Sequence, residues 1–117
     1  STRIYVELPS DMAPVSAFLY AMPAERYQII LGQFSRKIGA AFEDAYCEFP
    51  GEQSPSEVCL GGVGFFLFEE SKIVSSSELV FIVNLYNNKY LEKFPNDRDS
   101  IEALTLKLIE NAKSWGF

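Results

Sequence analysis

Two cysteines, Cys47 and Cys59, flank a loop rich in Gly, Pro and Ser, and the run Gly61-Gly62-Val63-Gly64 follows directly. Residues of these types serve dithiol exchange, zinc ligation and phosphate binding, and each use demands its own spacing. A structural zinc site takes four ligands, usually as close pairs of Cys or His. This chain has two cysteines and no histidine, so zinc is not expected. A C-x-x-C redox motif is absent. A Cys47–Cys59 disulfide is conceivable if their strands are neighbours, but in a reducing compartment two thiols packed in a core are the expectation. The glycines do not form a dinucleotide fingerprint, which opens a helix after a strand, and no G-K-[S/T] completes a P-loop. They open a strand-like run instead, where they allow a bulge or a close backbone approach. Asp97 and Asp99 resemble the start of a Ca²⁺ loop, yet Glu102 stands at the sixth position, where that loop needs Gly. No metal and no cofactor is expected.

Carboxylates are the remaining candidates for chemistry. Glu43-Asp44 and Glu69-Glu70 are adjacent pairs, which in a strand point to opposite faces and serve one site poorly. The absence of histidine removes the side chain best suited to proton transfer near neutrality. No catalytic residue is assigned, and an enzyme is not expected. A small hydrolase working through a carboxylate or Cys is the rival reading that a loss of activity in Cys47→Ser or Cys59→Ser would favour. Lys72 is expected to support a turn.

The distribution of charge is more informative. The chain carries −6 overall, but from Glu43 to Glu78 eight acids face a single base, Lys72, so this third holds −7 and the rest +1. A single-signed face steers a cationic partner and speeds encounter. It also opposes nucleic-acid binding, which needs clustered Lys and Arg. The expected partner-binding residues are Glu43, Asp44, Glu48, Glu52, Glu57, Glu69 and Glu70. A solvated acidic rim is the bland alternative. A homo-oligomeric or adaptor domain with an aromatic sheet face as its contact surface is another.

The elements that must position these residues follow from periodicity. At 117 residues the chain is expected to be one domain over 1–117, with enough core to need no staple. Residues 3–8 alternate as an extended lead-in. Ser10 or Asp11 caps a first helix with Pro14 in its first turn, and Val15, Phe18, Leu19 and Met22 share one face. Tyr27, Ile30, Leu31, Phe34 and Ile38 repeat that spacing, with Gly39 as the stop. Strand character appears at 46–49 and again at 58–68, where both faces are apolar. Residues 69–72 are read as a four-residue turn into a return strand at Ile73-Val74. Ser75 and Glu78 form a capping box for a helix carrying Leu79, Ile82, Val83, Tyr86 and Tyr90. Asn96 or Asp97 caps a last helix carrying Ile101, Leu104, Leu108, Ala112 and Trp115, with Trp115 either a core or an interface anchor. The fold class expected is α+β, with N-terminal helices, a small antiparallel sheet around a central hairpin, and two C-terminal helices. No run reaches the roughly 20 apolar residues of a membrane span, and the start has no apolar secretory core, so a cytoplasmic location is expected.

Several stretches in order carry a family likeness: Tyr46-Cys47-Glu48-Phe49-Pro50, the Gly-Val of the hairpin strand, the Ser75-x-x-Glu78 cap, and Tyr90 followed by Phe94-Pro95. Over roughly 40–110 the chain resembles immunity proteins of bacterial contact-dependent growth inhibition (CDI) systems, in the subgroup paired with ribonuclease toxins. It departs from them in the loop 51–57, and in Phe94-Pro95 where His-Pro is common. The resemblance implies a non-catalytic cytoplasmic protein that binds a cognate toxin domain, the C-terminal part of a large secreted effector, and blocks its cationic, tRNA-cleaving groove. It carries over no catalytic residues, and it implies no contact with membrane or nucleic acid.

Overall fold

The computed structural model describes residues 1–52 and 61–117. Helix α1 (Ala13–Ala21) follows a single 3-10 turn, with Pro14 at its start and Val15, Phe18 and Leu19 buried. Neither Ser10 nor Asp11 caps it. The Asp11 side chain instead pairs with Lys72 at 3.2 Å, which ties Lys72 to the first helical turn rather than to a hairpin turn. Helix α2 (Tyr27–Ser35) buries Tyr27, Ile30, Leu31 and Phe34, but ends before Ile38, which is exposed.

The stop of α2 is Lys37, not Gly39. Lys37 takes a left-handed φ of 58°, its N–H donates to the Phe34 carbonyl, and the Ile38 N–H reaches back to Gln33, each at 3.0 Å. This is the double closure of a Schellman end. Gly39 serves the sheet: a Cβ there would lie 1.8 Å from the Cys47 carbonyl oxygen.

Among the described residues four strands form one antiparallel sheet in the order β1-β2-β3-β4: β1 (Ala40–Phe42), β2 (Ala45–Glu48), β3 (Val63–Leu67) and β4 (Glu70–Val74). Strand β1 is additional to the sequence expectation. The four-residue turn at 69–72 is corrected to a two-residue turn, Phe68-Glu69, with Ser71 and Lys72 inside β4. Residues 53–60, including Glu57, Cys59 and the expected strand start at Val58, lie outside the described residues.

Helix α3 (Ser76–Lys93) begins in the expected box: the Glu78 N–H donates to the Ser75 hydroxyl at 3.1 Å, and the Ser75 N–H to the Glu78 carboxylate at 2.9 Å. Its five expected core residues are all buried. Helix α4 (Arg98–Ala112) buries Ile101 and Leu108, and Trp115 lies just past it, edge-on to Phe49 and stacked on Phe117. Asp97 precedes α4 without capping it and accepts the Tyr90 hydroxyl at 2.6 Å.

Helix α1 packs across the sheet, and α4 packs against both α2 and α3. Phe18 is the junction, in ring contact with Phe34, Phe42 and Phe65. Deeper in the helical layer, the Tyr27 hydroxyl donates to Asn87 Oδ1, and Asn87 Nδ2 donates to Thr105 at 2.9 Å. That chain joins α2, α3 and α4 through buried polar groups that would be costly to leave unpaired. No helix among the described residues is long and apolar enough to cross a membrane.

Candidate docking face

The register sorts the strand side chains onto two faces, because directly opposed residues share a face. Ala45, Cys47, Val63, Phe65 and Val74 point inward and are buried. On the outer face Tyr46 opposes Phe66, which opposes Ser71, and the Tyr46 and Phe66 rings stack at 4.8 Å and 17°. Glu48 and Ile73 flank Gly64 on the same side, and Tyr46 and Ile73 are each 40% exposed.

Both hairpins turn in two residues, Glu43-Asp44 and Phe68-Glu69. Ala45 pairs with Leu67, so the two turns project from the same end of the sheet. Glu43, Asp44, Glu69 and Glu70 are thereby brought together, all exposed, and none is in an ion pair among the described residues. Glu48 and Glu52 separate from this group. Glu48 sits at the opposite end of β2, across from Gly64. The Glu52 carboxylate accepts the Phe49 N–H at 2.7 Å and the Gly39 N–H at 3.1 Å, tying the chain after β2 to the start of β1.

The first residue of each turn has a left-handed φ, 57° at Glu43 and 53° at Phe68. For a residue with a Cβ that conformation costs on the order of 1–2 kcal/mol, and glycine avoids the cost. Phe68 is also 77% exposed, so burial returns little of it. Sequence reading placed Phe68 at the end of a strand. A turn two residues long was the missing signal, and it is visible only once Leu67 is paired with Glu70.

The titratable groups with resolved shifts move away from the range useful for proton transfer at neutral pH. Burial, reinforced by Glu52 and Glu48, pushes the Cys47 thiol well up, which leaves it a protonated core residue. Burial likewise raises the Tyr27, Tyr86 and Tyr90 phenols. Backbone hydrogen bonds lower the carboxyls of Glu25 and Glu78. Among the described residues no three His, Cys, Asp or Glu side chains gather to hold a metal ion. A groove of about 280 Å³ runs between α3 and α4 past Asn84, Asn88 and Thr105, and its charged pair, Arg98 and Glu102, sits at 3.7 Å on the surface. The sheet end is different in kind: an exposed aromatic residue, Phe68, stands among acids that form no ion pair among the described residues.

A search of curated proteins returns no significant match. Residues 12–105 match the sequence profile of the CDI immunity protein family. That match spans the whole of α1, α2, the sheet and α3 and the first half of α4, and the chain belongs to the CDI immunity protein family, whose members neutralise a cognate toxin.

Proposed function

We propose that this chain neutralises a ribonuclease toxin in the cytoplasm by laying its acidic sheet end over the toxin's cationic, RNA-binding groove. The observation that carries this reading is the convergence of Glu43, Asp44, Glu69 and Glu70 at one end of the sheet, with no ion pair among the described residues. A ribonuclease must present positive charge to phosphate, and opposed surfaces of this kind give fast, selective encounter. Lys72, the one base of the acidic third, is held by Asp11 and leaves that charge uncompensated. The protein acts here by exclusion: it occupies the groove, and tRNA does not enter. No step of bond making is asked of its own side chains.

The test is to mix the chain with the toxin domain encoded immediately upstream of its gene and to follow both complex formation and tRNA cleavage. A stoichiometric complex with cleavage abolished is expected. A complex that leaves cleavage intact would overturn occlusion, and no complex at all would overturn the pairing.

A further inference from the structure

Phe68 combines two features that a folded chain has no internal reason to keep: a left-handed backbone and an aromatic ring left in water. Strain retained at an exposed position points to use at that position. Its surroundings say what kind of use. Glu69 follows it in the turn, Glu70 opens β4, and Glu43 and Asp44 form the neighbouring turn. The stacked Tyr46–Phe66 pair lies on the outer face of the strands that these two turns join. An aromatic centre within a charged rim is the anatomy of an interface with one dominant anchor.

Charge selects the occupant. A second copy of this chain would bring the same four acids against their own kind, and like charges juxtaposed are strongly unfavourable. A basic surface is complementary. We infer that Phe68 is the central anchor of the toxin-binding surface, seated in an apolar socket rimmed by Lys and Arg of the toxin, with Tyr46 and Phe66 extending the contact. This rests on the toxin-neutralising reading above and adds to it the residue that holds the complex together once the acids have steered it into place.

The test replaces Phe68 with Gly, the residue best suited to its φ of 53°. Phe68→Gly is expected to melt at the wild-type temperature or higher, and to bind the upstream toxin domain about 30-fold more weakly, with the loss in dissociation rate. Phe68→Asn, which also tolerates a left-handed backbone, should behave alike. Variants that are folded and bind as tightly as a wild-type chain that does bind would overturn the anchor alone. Failure of the wild-type chain to bind overturns the functional reading, and the anchor with it. Concentration-dependent dimerisation that Phe68→Gly abolishes would assign the surface to a second copy instead.

Discussion

Phe65 and Phe66 are neighbours in β3 and point to opposite sides of the sheet, where they meet different surroundings. Phe65 is 1% exposed and edge-on to Phe18 of α1. Phe66 is half-buried against a single ring, that of Tyr46, across the next strand. The inner face is committed to the core through several elements at once. The outer face is held mainly by its own strands and keeps apolar area accessible. The same division runs through the carboxylates. Glu52 and Glu78 spend their oxygens on backbone N–H groups, whereas Glu43, Asp44, Glu69 and Glu70 are exposed at the sheet end and in no ion pair among the described residues. Folding and the proposed partner binding therefore draw on different members of the same residue types, a few positions apart.

The contrast breaks if the two phenylalanines cost the same to remove. Phe65→Ala is expected to lower the unfolding free energy by about 3–5 kcal/mol in urea titration, through lost burial and a cavity. Phe66→Ala should cost only about 1 kcal/mol, the worth of a cross-strand aromatic pair. Equal losses would mean that the outer face is core.

A smaller effect sharpens the division among the acids. Ser75→Ala removes the cap of α3 and should cost about 1 kcal/mol, whereas Glu69→Gln at the sheet end should change stability by less than about 0.5 kcal/mol. The Ser75 N–H lowers the Glu78 carboxyl below its ordinary 4.5. Its contribution is therefore present above that value and lost as pH falls through the lower folded one. The Glu78→Gln variant should show a shallower loss of stability in that acid range, measured by urea titration at successive pH values. An unchanged acid slope would remove Glu78 from the fold's account.

Much of this architecture was legible because its signals are local. The faces of α1, α2 and α3 follow from a 3.6-residue period, and the Ser75–Glu78 box is written in four consecutive residues. What escaped reading depends on neighbours distant in sequence. Strand β1 is Ala-Ala-Phe after a glycine, with weak strand propensity. It exists because Gly39 lets its backbone meet β2 at Cys47, a contact any side chain would block. The turn at Phe68-Glu69 carries no Gly or Asn to announce its left-handed residue, and the aromatic run hid it. The acidity of the central third could be counted from sequence. That two turns would carry four of its acids to one end, while Glu52 turned back to the main chain, required the register.

The central claim is that the sheet end is the docking surface, and the rate of association with the upstream toxin domain tests it most directly. Stopped-flow mixing of the wild-type chain, and of a variant with Glu43, Asp44, Glu69 and Glu70 all replaced by Lys, should be followed over a range of ionic strength. The wild-type rate should fall steeply as salt is added, and the variant should associate at least about tenfold more slowly at low salt, without that dependence. A folded variant with the wild-type rate and the wild-type salt dependence would place the toxin on another face of the molecule.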